Sequence, residues 1–155
     1  MKNSESSNKH ELVAYCGLYC GDCGGYSEDI AHAAKKLKEQ LEKYKYELTV
    51  KAMFADHFKD YREFQKNLEF LTQMKCPIVC TQRNNPECAV WHCCREKGLQ
   101  GCYECSSFEQ CDILRNKLGP IFYDACMANL RNIQKLGIDV WIEKGKRYWF
   151  SCDVE

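Results

Sequence analysis

The pattern of hydrophobic and polar positions predicts helices on both sides of a cysteine-rich stretch. Between residues 27 and 74, hydrophobic side chains recur every three or four positions, which is the repeat of an amphipathic helix. The repeat weakens between Thr49 and His57, so we predict two helices with a loose break there. Ser27, Glu28 and Asp29 are expected to start the first helix. The predicted core-facing positions are Ile30, Ala33, Leu37, Leu41, Tyr44, Leu48, Phe58, Tyr61, Phe64, Leu68, Leu71 and Met74.

Helical periodicity returns after Cys111. Leu118, Gly119 and Pro120 predict a break, after which a helical face runs to Gly137, a residue type that often follows a helix end. A last short helix is expected from Asp139 to Lys146, and no strand is strongly indicated. We therefore predict a mainly α fold: a small helical domain with an irregular cysteine-rich, zinc-knuckle centre and little or no β structure.

The length of 155 residues fits one domain. We predict a polar, flexible N-terminus over 1–14 and a single cysteine-rich domain over 15–155. Within that domain we distinguish a helical excursion at 27–74, the main cysteine block at 76–111 and C-terminal helices at 112–155. A domain of about 150 residues buries enough surface to be stable without crosslinks. The 13 cysteines therefore need a different explanation.

The expected compartment decides how these cysteines are interpreted. Residues 1–11 are polar and lack the apolar core of a secretory signal, and no later segment has the length and apolarity of a membrane span. We therefore expect a cytoplasmic protein, where clustered thiols indicate metal or redox sites more than disulfides. The 22 basic and 22 acidic side chains balance, which argues against a strongly basic nucleic-acid-binding protein.

Two CxxC elements stand out, Cys20 to Cys23 and Cys102 to Cys105. Two thiolates separated by two residues can bind one metal ion from a tight turn. Further cysteines lie close to both elements, and together they exceed the needs of one tetrahedral site and are enough for two. Motifs of serine hydrolases, zinc proteases and nucleotide-binding loops are absent from the sequence, so no catalytic residue is predicted.

Two other uses of these cysteines are weighed against zinc. A dithiol redox centre needs a lowered thiol pKa, but acidic residues, Asp22 and Glu104, precede the second cysteine of each CxxC. An iron–sulfur cluster is the stronger competitor, because Cys16, Cys20 and Cys23 have the spacing found in radical S-adenosylmethionine enzymes. The alternating strands and helices of those enzymes are not indicated here. Zinc is therefore preferred, and an iron–sulfur cluster remains the alternative.

The segments CGLYCGDC, from Cys16 to Cys23, and CCREKGLQGCYEC, from Cys93 to Cys105, resemble a prokaryotic family of small cysteine-rich proteins catalogued as a domain of unknown function. The resemblance extends from about Tyr15 to Leu114. It implies zinc binding without an established activity. The metal ligands that it implies are Cys16, Cys20, Cys23, Cys76, Cys80, Cys88, Cys93, Cys102, Cys105 and Cys111.

The remaining cysteines, Cys94, Cys126 and Cys152, are expected to be bystanders, with Cys126 in the core. His92 is expected to be structural or exposed. Arg95 and Lys97 are predicted to offset thiolate charge beside the ligand block.

The sequence therefore predicts a zinc-binding protein with one or two closed four-thiolate sites. The metal would be structural, and the protein would act through a protein partner. An iron–sulfur protein in electron transfer or radical chemistry is the alternative. Neither nucleic acid nor a membrane is expected as a partner.

Overall fold

Helices dominate the part of the chain that the structure, a computed structural model, describes: residues 9–76 and 78–154. The β structure recorded within those ranges is one isolated antiparallel bridge between Val13 and Tyr19. The prediction of a mainly α fold is confirmed. The α-helices of the described ranges are α1 (Gly24–Ser27), α2 (Asp29–Lys43), α3 (Tyr46–Met53), α4 (Tyr61–Thr72), α5 (Ala89–Glu96), α6 (Asp112–Leu136) and α7 (Ile138–Lys144). Short 3₁₀ turns occur at Lys9–Leu12, Cys20–Asp22, Cys102–Glu104, Phe108–Gln110 and Ser151–Asp153.

The chain divides into two compact units. The first unit joins the stretch before Cys23 to the stretch after Pro77, and the second unit is Cys23–Pro77. The predicted helical excursion at 27–74 lies inside the second unit, and the single domain over 15–155 stays a prediction. Of the predicted flexible segment 1–14, residues 1–8 lie outside the described part, while Leu12 and Val13 are buried. None of the described helices is both long and apolar enough to cross a membrane.

In the second unit, the predicted break at 49–57 is placed too early, although residues 54–57 do lie outside the helices. α2 ends at Lys43, and α3 continues through residues 49–53, which the sequence pattern assigned to the break. Lys45 has a left-handed backbone (φ 48°), which turns the chain between α2 and α3. The break lies instead between α3 and Asp60, whose carboxylate accepts a hydrogen bond from the backbone N–H of Glu63 (2.9 Å) and caps α4.

The packed face of α2 also differs from the predicted one. Ala31 and Ala34 are buried, whereas Ile30 and Leu37 are about half exposed. α2 packs mainly against α4, where Leu68 is buried. Alanines contribute little to a hydrophobic pattern, but they let two helix backbones approach closely. The packing face is therefore shifted by one position from the stripe of large side chains.

In the first unit, α6 contributes many of the buried core residues. Gly119 has a left-handed φ of 59° and interrupts the helical backbone next to Pro120, which confirms the predicted break. Gly17 approaches α6 closely, because a β carbon there would lie 2.9 Å from the side chain of Leu130. Gly17 also has a φ of +91°, which favours glycine. The buried cluster around this contact contains Tyr15, Val90, Cys94, Cys102, Phe108, Leu114, Met127 and Leu130.

The C-terminal segment of the first unit is fixed to α6 by a buried amide. The Asn129 side-chain amide donates to the Tyr148 carbonyl oxygen (2.8 Å) and its carbonyl accepts from the Tyr148 N–H (2.9 Å). α6 ends before Gly137, as predicted, and α7 buries Trp141. The pair of hydrogen bonds satisfies a polar side chain that is otherwise enclosed by the core.

Candidate metal centre

Five cysteine side chains line one cavity of about 240 Å³ in the first unit. Two of them stand on α5, two belong to the second CxxC element, and one immediately precedes α6. Lys97 is the basic side chain of the cavity wall. The five cysteines are Cys93, Cys94, Cys102, Cys105 and Cys111.

Local backbone geometry explains how residues close in sequence surround this cavity. α5 ends at Glu96, and Gly98 has a left-handed φ of 65°, so the chain reverses and the Leu99 N–H donates to the Cys94 carbonyl (2.8 Å). The Cys102 N–H then donates to the Tyr15 carbonyl (2.8 Å), which fixes the CxxC element. Within that element the Cys105 N–H donates to the Cys102 carbonyl (3.0 Å) and closes a tight turn. The CxxC thiols are thereby held on a turn that starts in the core.

Lys97 interacts electrostatically with the more accessible thiols. Negative charge on Cys93 and then on Cys105 raises the pKa of the Lys97 ammonium group, and Cys93 also accepts a hydrogen bond from it. A hydrogen bond from the Ser107 hydroxyl (Oγ to Sγ 3.4 Å) is the main cause that lowers the pKa of Cys105, and Lys97 acts in the same direction. Lys97 therefore lies beside the thiols, as predicted. Arg95 instead places its guanidinium over the Trp91 ring, 4.9 Å from the centroid.

Cys94 and Cys102 form a buried thiol pair at the inner side of the cavity. Their Sγ atoms are 3.6 Å apart, and the residues are 1% and 8% exposed. The hydrogen bond between them lowers the pKa of Cys94 and raises that of Cys102. From its position in the sequence, Cys94 is expected to be a bystander. Cys94 is buried, but it also shares the cavity with four predicted ligands. Its position four residues after Val90, on the same face of a helix, is the sequence feature that indicates its burial.

A second set of thiols in the first unit comes from the N-terminal loop and the segment before α5. Burial raises the pKa of Cys80 to about 11, and negative charge on Cys16, Cys20 and Cys88 adds to this shift. Cys16, Cys80 and Cys88 all pack against the buried cluster. Cys16, Cys20 and Cys88 therefore lie near enough to Cys80 to influence its thiol electrostatically.

Cys16 has a further partner in Cys126 on α6. Their hydrogen bond lowers the pKa of Cys16 and raises that of Cys126. Cys126 is fully buried, so the prediction that it belongs to the core is confirmed.

The remaining two predicted ligands, Cys23 and Cys76, belong to the second unit. They lie on either side of Gly25, because the Cys76 N–H donates to the Gly25 carbonyl (2.7 Å) and a β carbon on Gly25 would lie 3.6 Å from the Cys23 Sγ. The structure thus places eight of the ten predicted ligands in the first unit and two in the second.

All 13 cysteines are free thiols, and Cys152 is the exposed one. Across residues 9–76 and 78–154, no three His, Cys, Asp or Glu side chains are close enough to hold a metal ion as they stand. His92 points its Nε2 at the Pro86 carbonyl oxygen (2.8 Å) and is exposed, in line with its predicted structural role.

A family model described as "Protein of unknown function (DUF3795)" matches residues 12–116. None of the curated proteins and none of the solved structures matches the chain. The matched range includes all five cavity cysteines and all ten predicted ligands.

Proposed function

The chain belongs to the DUF3795 family of proteins of unknown function, and we propose that it binds zinc through cysteine thiolates, with a structural role for the metal. The observation that carries this proposal is the cavity in the first unit, where five thiols and Lys97 meet. Thiols from three separate chain segments surround one space there. A metal bound by them would crosslink α5, the CxxC turn and the start of α6.

The donor set suits zinc. Thiolate sulfur is a soft ligand that zinc and iron–sulfur clusters prefer, whereas magnesium and calcium select oxygen donors. We assign Cys93, Cys102, Cys105 and Cys111 to the first ion. A zinc ion with four thiolates has a net charge of about −2. Lys97 lies beside this set and would offset part of that charge.

A second ion is assigned to Cys16, Cys20, Cys80 and Cys88. The electrostatic influence of the other three on the Cys80 thiol supports this grouping. It would crosslink the N-terminal loop to the segment before α5. The ligand role of Cys23 rests on its CxxC spacing and on the family resemblance, and that of Cys76 rests on the resemblance.

A closed site with four thiolates leaves no position for water or substrate, so the metal would stabilise the fold. We infer that the protein then works through contact with a protein partner. Supporting this, the second unit exposes large apolar side chains, among them Leu48 (61%) and Met53 (72%). One of its cavities, of about 390 Å³, is lined by Leu41, Leu48 and Leu68 together with charges of both signs.

Elemental analysis of freshly purified protein tests the metal. We expect zinc at one to two ions per chain, together with a colourless solution. The Cys105→Ser variant should lose about one ion, measured with a chromogenic chelator, and Cys152→Ser should retain all of it. Protein without metal would contradict the proposal, and iron with acid-labile sulfide and visible absorbance would favour the iron–sulfur alternative.

A further inference from the structure

The buried thiol pair has the geometry of a disulfide precursor. The Sγ atoms of Cys94 and Cys102 are 3.6 Å apart, which is sulfur contact distance. A disulfide bond is about 2.05 Å long, so the two sulfurs need to approach by only about 1.5 Å. A change in a side-chain torsion angle moves a sulfur atom by a distance of this order.

We propose that Cys94 and Cys102 form a redox-sensitive dithiol that a peroxide oxidises to a disulfide. One sulfur attacks the O–O bond of the peroxide, becomes a sulfenic acid and releases water. The second thiol attacks that sulfur, the S–S bond forms, and the sulfenic oxygen leaves as a second water. Two electrons pass from the two sulfurs to hydrogen peroxide, and the two thiol protons end in the two waters.

The CxxC spacing points to a different pair, Cys102 with Cys105, but the contacts favour Cys94. The Cys105 sulfur lies against the Ser107 hydroxyl (3.4 Å), whereas the Cys102 sulfur lies against that of Cys94. Closing Cys102 onto Cys105 would require both sulfurs to leave these partners. The geometry therefore assigns the redox partner of Cys102 to the residue eight positions earlier on α5.

A small oxidant can reach this pair through the cavity, and the chain between the two cysteines can adjust when the disulfide forms. Both cysteines line the 240 Å³ cavity, together with the accessible side chains of Cys105 and Lys97, so peroxide can reach them from that side. The chain between them passes through Gly98, around which a β carbon would meet no atom within 4 Å. The space beside this turn is therefore open.

The consequence for metal binding rests on the function proposed above. Cys102 cannot be a zinc thiolate and a disulfide sulfur at the same time. Oxidation should release the ion assigned to the cavity, and bound zinc should slow the oxidation.

The test uses the full chain, first stripped of metal with a chelator and then treated with hydrogen peroxide. We expect the intact mass to fall by about 2 Da for one disulfide. Trypsin cleaves after Arg95 and Lys97, so a Cys94 to Cys102 bond joins the peptide 84–95 to the peptide 98–115. Fragmentation of the joined peptides should locate the bond at these two cysteines.

Three variants sharpen the assignment. Cys94→Ser should lose this crosslink, while Cys93→Ser, one position away, and Cys105→Ser, the other CxxC cysteine, should keep it. A bond from Cys102 to Cys105 within one peptide, or peroxide-treated protein without a disulfide at Cys94, would overturn the proposal. Circular dichroism shows whether Cys94→Ser folds, and the other two variants decide the matter if it does not.

A parallel arm with zinc-loaded protein separates the two proposals. If the disulfide forms at the same rate with and without zinc, the dithiol stands and the assignment of Cys102 as a ligand fails. If zinc binds but no Cys94 to Cys102 disulfide forms either in the stripped protein or in the zinc-loaded protein after long exposure to peroxide, the dithiol fails and the metal site stands.

Discussion

The two compact units use their side chains in different ways. The first unit holds all the cysteines except Cys23 and Cys76, and its loops rest on a core that includes Leu130 and Trp141, both fully buried. The second unit has few large buried side chains and packs the alanines of α2 against α4. Packing between helices therefore stabilises the second unit, whereas we propose that bound metal is needed to hold the loops of the first unit in place.

Removal of the metal should produce the largest difference in stability between the two units. Structural zinc contributes on the order of 10 kcal/mol in small zinc domains, so chelation should strongly destabilise the cysteine segment at 88–111. Amide hydrogen exchange should show lost protection there, while α2 and α4 keep theirs. Equal loss in both units would contradict the comparison, and no change in either would remove the role proposed for the metal.

Truncating the core of α6 should be the next largest effect. Leu130→Ala leaves a cavity in a fully buried position and should lower the free energy of unfolding by about 2–5 kcal/mol. Leu136→Ala, on the same helix but 41% exposed, is the control and should cost less than about 1 kcal/mol. Urea unfolding measures both. Similar values for the two would mean that the core is not centred on Leu130.

Substitutions at two glycines of the first unit distinguish the stability cost of steric contact from that of backbone strain. Both have left-handed φ angles, but a β carbon at Gly17 would strike Leu130 at 2.9 Å, whereas Gly98 has open space. Gly98→Ala should therefore cost about 1–2 kcal/mol from strain alone, and Gly17→Ala should cost more. Unfolding curves of both variants supply the comparison. Equal costs would show that the N-terminal loop yields without penalty.

The second unit should respond to the loss of a helix cap. Asp60→Ala removes the acceptor for the Glu63 N–H at the start of α4 and should cost about 1 kcal/mol. Asp56→Ala, in the exposed segment before the cap, should change stability by less than about 0.5 kcal/mol. Thermal unfolding measures the difference, and a cap effect as small as the control would show that packing alone fixes this helix start.

The smallest expected effect is a pH dependence in the first unit. Arg131 donates two hydrogen bonds to the Glu109 carboxylate (2.7 and 2.5 Å) and lowers the pKa of that carboxyl. Because the pKa is lower in the folded state, the stabilisation is present at neutral pH and is lost as the pH falls through the acid range. The melting temperature of Glu109→Gln should fall slightly below wild type at pH 7 and match it in acid. A constant gap would exclude this ion pair as the cause.

An analogous pair in the second unit joins Lys38 to Glu69, and Lys38 lowers the pKa of Glu69. Glu69→Gln is its matched variant. Both pairs are exposed, so salt should weaken them. Arg131 makes a bidentate contact with Glu109, so the loss of stability in acid should be larger for this pair than for Lys38 and Glu69.

Much of the fold could be predicted from the sequence because local rules decide it. The break at Gly119 and the helix end at Gly137 follow from backbone freedom and proline geometry, and the structure confirms both. The packed face of α2 could not be predicted in the same way. Alanine carries a weak hydrophobic signal, and only the approach of α4 shows that Ala31 and Ala34 are inside.

The candidate site was predictable as a set of residue types but not as a set of neighbours. Spacing identified the CxxC turn, yet the grouping of Cys94 with Cys102 depends on the reversal of the chain after α5. The placement of Cys23 in another unit from Cys16 and Cys20 is likewise a property of tertiary structure. Periodicity within one segment carries no information about such long-range choices.

The two hydrogen bonds between Asn129 and Tyr148 have a consequence for the order in which the chain folds during synthesis. The second unit is complete in sequence once residue 77 has left the ribosome, but the buried amide of Asn129 has no backbone partner until residue 148 has emerged. Domains fold as units during translation, beginning with those complete first. The N-terminal loop, although made first, therefore waits for nearly the whole chain before its own unit can close.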